Sequence, residues 1–136
     1  MLLLFHAHAW SQGVGAIDRS SFIFPPVKQH VHGSTIVALP NGDLLVAWYQ
    51  GSGERTANDV RILGARWPKG AKGWTSPFLM ADAIDMPDCN PVMFLDRRNV
   101  LHLTWITVLG DRWESSILRH RTATDLSGAG APKWAW

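Results

Sequence analysis

Apolar positions along the chain fall in short runs of four to six residues, bounded by Gly, Pro and Asn, with no stretch of helical spacing long enough to compete. Ile36-Val37-Ala38-Leu39 and Leu44-Leu45-Val46-Ala47-Trp48 flank Asn41-Gly42, the strongest short hairpin signal, because both residues tolerate φ > 0. Ile62-Leu63-Gly64-Ala65 follows after a longer loop, and Trp74 marks a short final strand. The pattern predicts an all-β chain in which each unit reads strand, tight turn, strand, loop, strand, loop, short strand.

The same order is written twice. Val92-Met93-Phe94-Leu95, Arg98-Asn99 and Leu101-His102-Leu103-Thr104-Trp105 match the first hairpin, and Ile117-Leu118 and Trp134 match the later strands. The pairs Leu39/Leu95, Trp48/Trp105, Ile62/Ile117 and Trp74/Trp134 are 56, 57, 55 and 60 residues apart. Short antiparallel strands repeated at such a period are the signature of β-propeller blades. The chain is therefore expected to hold about two antiparallel β-propeller blades, residues 34–77 and 90–136, after an N-terminal segment at 1–28. A β-sandwich also has evenly spaced strands but does not predict two copies matched end to end. Two blades do not close a propeller, which takes about four to eight. The expectation is that the chain is a piece of a larger protein, with the missing blades as its first partner.

Composition narrows the function classes. Apolar residues make up 46% and charged residues 18%, a globular balance. The net charge is +2, without a basic stripe carrying interleaved aromatics, which argues against nucleic-acid binding. No apolar run approaches a membrane span. The single cysteine, Cys89, excludes an intrachain disulfide. Eight tryptophans suit a repeated core role or a sugar-stacking surface. Leu2-Leu3-Leu4-Phe5 before Ala7-His8-Ala9 reads either as the tail of a secretory signal, implying a secreted or periplasmic protein, or as an N-terminal strand.

Hairpin order gathers the chemistry-bearing groups at one end of the blades. The start of strand one and the end of strand two share that end, bringing Gln29–His32 beside Glu54, Arg55 and Asp59, and Asp88 and Asn90 beside Arg112 and Trp113. Glu54 and Asp59 are the acid–base candidates; the alternatives are a solvated loop and, for Asp59, a cap on the third strand. Arg55 and Arg112 suit a carboxylate clamp or exposed salt bridges. Asp88 and Asn90 are substrate contacts or turn-formers, and Trp113 is a sugar-stacking candidate. A 56-residue shift places His32 and Asp88 as counterparts. Period-two alternation puts His30 and His32 on one face and Val31 on the other. Two such histidines can begin a metal site, but the spacing offers no completing ligand. No metal or cofactor is expected.

His32-Gly33-Ser34-Thr35 through Leu44-Leu45-Val46-Ala47-Trp48 resembles the opening blade of sialidase-like propellers with bacterial neuraminidase repeats. Tyr49–Arg55, Asn58-Asp59-Val60, Pro87–Pro91 and Arg112-Trp113-Glu114 are similar to motifs of an exo-sialidase-like bacterial branch. The resemblance implies a six-bladed propeller with an axial site and exo-glycosidase chemistry. It implies a carboxylate acid/base, a tyrosine nucleophile assisted by a glutamate, and three arginines holding the substrate carboxylate. His32 stands where the first of those arginines would be, and the nucleophile belongs to later blades rather than to Tyr49. The Asp-box is degenerate, keeping Gly70 and Trp74 in the first copy.

Three functions follow as expectations. The first is part of a sialidase-like exo-glycosidase that hydrolyses a glycan and is inactive as this chain alone. The second is a non-catalytic carbohydrate-binding propeller. The third is a polysaccharide lyase on the same scaffold, with His30 or His32 transferring the proton.

Overall fold

The computed structural model describes residues 22–135; the leader-like segment at residues 2–9 lies outside them. Strands β1 (His30–Ala38), β2 (Leu44–Gly51), β3 (Arg61–Trp67) and β4 (Phe78–Ala81) form one antiparallel sheet in chain order. Strands β5 (Asp88–Leu95), β6 (Leu101–Leu109) and β7 (Arg112–Ala123) form a second. Ala135 adds to it only as an isolated bridge to Thr122. The described residues are all-β, and none lies in a helix long and apolar enough to cross a membrane.

Three turns differ from the expectation. Leu39 N–H donates to the Asp43 carbonyl and Gly42 N–H to the Leu39 carbonyl, at 2.8 Å each, leaving a three-residue loop in which only Gly42 has positive φ (89°). Pro40 explains it: its fixed φ suits the second position of a type I turn, and Gly42 supplies the left-handed residue that follows. Asp96 to Val100 repeats this geometry with Asn99 at φ 60°. The turn joining β6 and β7 is shorter than the expected loop. Gly110 and Asp111, at φ 56° and 59°, make a two-residue connection, so Arg112, Trp113 and Glu114 belong to β7.

Strand pairing sets the repeat at 57 residues across the first hairpin. His32 faces Tyr49 as Cys89 faces Ile106, and Thr35 faces Ala47 as Val92 faces Thr104. The β-bulges agree, with Gly33 at φ 61° matched by Asn90 at φ 51°. The sequence pairing of His32 with Asp88 is thus corrected: Cys89 is the counterpart of His32, and Asp88 that of Val31. Leu39 likewise matches Asp96, and Ile62 matches Leu118. The matching apolar runs hide a one-residue slip, which in a strand exchanges the two faces.

With this register the sheets stack front to back. Leu45, Ala47 and Tyr49 on the front of the first sheet pack on Leu101, Leu103 and Trp105, the back of the second. The back of the first sheet carries Val46 and Trp48, covered by Ile23, Phe24 and Trp74, with Phe24 stacked on Trp48 at 5.0 Å. The front of the second sheet has no such cover among the described residues: Val92, Phe94 and Leu118 are 53%, 48% and 71% exposed.

Arg66 on β3 pins the stack. Its guanidinium is fully buried and donates to the carbonyls of Leu126 at 2.8 Å and Gly130 at 3.2 Å, beyond β7, while lying 3.4 Å from Asp43 in the first hairpin turn. Asp43 also accepts from Lys69 N–H and Asn41, and the first of these leads in holding its carboxyl below the ordinary range. Arg66→Ala leaves the carboxylate and two carbonyls without that donor. We expect a loss of about 3–5 kcal/mol in urea unfolding of the 136-residue chain. An unchanged midpoint would show that the second sheet is held without it.

Candidate functional site

The common end of the two sheets is built on Tyr49. Its ring lies fully buried in the intersheet core. Gly33 makes room for it: a Cβ there would stand 2.7 Å from Tyr49 Cε1, on a backbone already at φ +61°. The bulge at His32–Thr35 therefore needs glycine both for its conformation and for the ring beneath it.

The Tyr49 hydroxyl emerges among three side chains. It donates to Glu54 Oε1 at 2.5 Å and lies 2.8 Å from His32 Nδ1, which is itself 3.4 Å from Glu54 Oε1. His30 Nε2 stands 4.0 Å from the same carboxylate oxygen, with its ring stacked over Tyr49 at 5.8 Å. Register explains the convergence: His30 and His32 pair with Gly51 and Tyr49, on the front of the sheet, and Glu54 lies just past the end of β2.

Hydrogen counting fixes the proton pattern. A phenol has one proton, and here Glu54 takes it, so the contact with His32 requires Nδ1–H as donor to the tyrosine oxygen. With Nδ1 carrying the proton, the singly protonated ring has its lone pair on Nε2. The tyrosine bond leads in holding the Glu54 carboxyl below its ordinary range, against a smaller opposing effect of desolvation. Desolvation first, and then Glu54, push the Tyr49 phenol well above its ordinary value. Glu54 is thus a carboxylate and Tyr49 a neutral phenol at neutral pH. Accessibility sorts them further: the side chains of His32, His30 and Glu54 are 66%, 40% and 33% exposed, whereas Tyr49 has no exposed surface. Tyr49 positions; the other three can meet a ligand.

The remaining sequence candidates divide. Asp59 accepts from Ser52 N–H at 3.0 Å and from its hydroxyl at 2.8 Å, closing the loop after β2, and these bonds hold its carboxyl below the ordinary range. Arg55 reaches the other sheet, donating to the Asp111 carbonyl at 3.1 Å and lying 5.9 Å from the Trp113 ring centre. Trp113 is half-buried on β7 against the core, beside exposed Arg112. Asn90 is exposed at the second bulge, its side-chain oxygen near Gly33.

Asp88 lies in the interface between the sheets with no exposed surface. It accepts from Thr107 Oγ1 at 2.6 Å and Ala83 N–H at 2.8 Å. Cys89 beside it is buried, and desolvation pushes its thiol up to about 12, leaving it inert as a nucleophile.

Sequence spacing points to Glu54 and to the shared face of His30 and His32, but not to Tyr49. Its signal is the single tyrosine beside Trp48, at a strand position that pairs with His32. Glu54 also completes a set of three metal-type ligands that the linear spacing lacks: one ligand atom each from His30, His32 and Glu54 lies within 4.8 Å of the others.

No protein-family model, curated protein or solved structure matches the chain.

Burial gives Asp88 a testable pH signature. Desolvation raises its carboxyl above the ordinary 3.8, outweighing the hydrogen bonds it accepts. The folded state therefore holds the proton more tightly than the unfolded one. The associated stability is complete below the unfolded value and falls as pH rises through the folded one. Asp88→Asn keeps an acceptor and a donor for the same partners but does not titrate. Urea midpoints taken from about pH 4 to 7 should shift progressively in favour of the variant; parallel curves would contradict the burial argument.

Proposed function

We propose that this chain contributes blades to a sialidase-like β-propeller, secreted or periplasmic, that cleaves glycans by proton transfer at His32, with Glu54 supporting the imidazole through Tyr49. The observation that carries the chemistry is the single Tyr49 hydroxyl joining Glu54 at 2.5 Å to His32 Nδ1 at 2.8 Å. A base held by an oriented neighbour, on a side chain that is 66% exposed, is the arrangement general-base catalysis requires. In hydrolysis, His32 Nε2 takes a proton from water as the water oxygen bonds the anomeric carbon. The glycosidic C–O bond breaks, and the leaving oxygen is protonated by an acid from the blades that the proposal adds. Glu54 opposes the charge developing on the imidazole through the tyrosine bridge.

The larger propeller is supported by the stacking. The front of the second sheet holds the position of the surface that the first sheet buries, with His102, Thr104 and Ile106 where Leu45, Ala47 and Tyr49 stand. A further sheet presenting its own back would cover Phe94 and Leu118 as the second sheet covers Tyr49. Six such blades would close the ring that the resemblance implies.

A lyase is the second reading, favoured by the exposed base being an imidazole beside a phenol. His32 Nε2 would then take the C5 proton of a uronate, the electron pair forming the C4=C5 bond as the C4–O bond breaks and an acid from the added blades protonates the leaving oxygen. Products separate the readings: a reducing sugar without unsaturation for hydrolysis, an ultraviolet-absorbing unsaturated uronate for elimination.

The test is a glycan panel offered to a protein carrying these blades within a closed propeller, with the 136-residue chain alone expected to give no turnover. His32→Ala and Glu54→Gln should each lower kcat by about 100- to 10,000-fold, and Asp59→Asn far less. Binding of a glycan without turnover would favour the carbohydrate-binding module. Turnover unaffected by His32→Ala would overturn the assignment of the base.

A further inference from the structure

We infer that His30, His32 and Glu54 form a binding site for a divalent transition-metal ion of the zinc type. The inference does not rest on glycan cleavage, because it concerns only the donor atoms that these three side chains bring together. Two imidazoles and one carboxylate are the donor set of open zinc sites, in which three protein ligands leave a position for water or substrate. Nitrogen donors direct the set toward zinc, copper, nickel or cobalt and away from magnesium and calcium, which prefer oxygen.

The geometry is close to what such an ion needs. A tetrahedral centre with bonds near ~2.1 Å places its ligand atoms about 3.4 Å apart. His32 Nδ1 and Glu54 Oε1 are already separated by 3.4 Å, and His30 Nε2 and Glu54 Oε1 by 4.0 Å. The remaining contraction falls on two imidazoles that are 40% and 66% exposed, and side-chain rotation is the motion that supplies it. The backbone supplies the pre-organisation: adjacent front-face positions on β1 present both rings, and the Tyr49 hydroxyl orients the carboxylate as outer groups do at metal sites.

Metal binding and the proton relay exclude each other. The relay needs a proton on His32 Nδ1, and the ion needs the lone pair of that same nitrogen. Loading the site turns His32 to its Nε2–H form and breaks its bond to Tyr49. A transition-metal ion would therefore silence a proton-transfer reaction at this site, and a chelator would restore it.

The experiment is calorimetric titration of the full 136-residue chain with zinc chloride in the presence of excess magnesium, with folding of each variant checked by circular dichroism. We expect a micromolar or tighter site that His30→Ala and His32→Ala each weaken by about 100-fold and Glu54→Gln by at least ~10-fold. His102→Ala, on the front of the second sheet, should leave it unchanged. Cobalt in place of zinc should give the intense visible absorption of a four-coordinate centre, lost in His30→Ala. Absence of zinc binding by the wild-type chain would overturn the inference, as would equal affinity in all three ligand variants. Neither result bears on glycan turnover by a metal-free protein, so the two readings fail separately.

Discussion

Tyr49 is the residue on which fold and site both depend. Its ring fills the front of the first sheet where the second sheet packs, and its hydroxyl is the only part that reaches the polar end. A buried phenol needs a partner for that hydroxyl, because an unpaired one costs about 1–3 kcal/mol. Glu54 and His32 satisfy it and are oriented in return. Gly33 belongs to the same constraint: any side chain there would meet the ring at 2.7 Å. Packing of the core thus dictates where the ionisable groups stand.

The second constraint is register. Front-to-back stacking is a heterologous contact, in which one sheet's front meets the next sheet's back, so it does not close after two copies. Ile23 and Phe24 occupy one terminal face of the pair, while Phe94, Leu118 and the stacked rings of His102 and His120 occupy the other. Arg66 locks the stack from the opposite end to Tyr49, through carbonyls that only the second copy supplies. The loops of the two copies also meet at the polar end, where Arg55 donates to the Asp111 carbonyl. Stacking and loop contact together place the two copies' chemistry on one side.

Much of this was legible in the chain, and the misses have a common cause. Alternation of apolar residues located the strands, and period two placed His30 and His32 together. The repeat was visible through Trp48 and Trp105, which bury equivalent faces at a 57-residue spacing. Matching Leu39 to Leu95 instead of Asp96 cost one residue, because apolar runs slide over one another without penalty until pairing fixes them. That slip carried Asp88 to the wrong face. Turn chemistry was the other gap: Pro40 and the Gly110-Asp111 pair decide loop length, and loop length decides that Trp113 packs in a strand. The partnership of Tyr49 with Glu54 had no linear signal, since it arises from the bend of the chain beyond β2.

The central claim is that the Tyr49 hydroxyl holds Glu54 as a carboxylate beside His32. Carbon-detected NMR titration of the Glu54 side chain in the 136-residue chain addresses it directly, in wild type and in Tyr49→Phe. The account predicts a Glu54 carboxyl titrating below the ordinary 4.5, moving up toward it when the phenol is removed. An ordinary value in the wild type, unmoved in Tyr49→Phe, would contradict it.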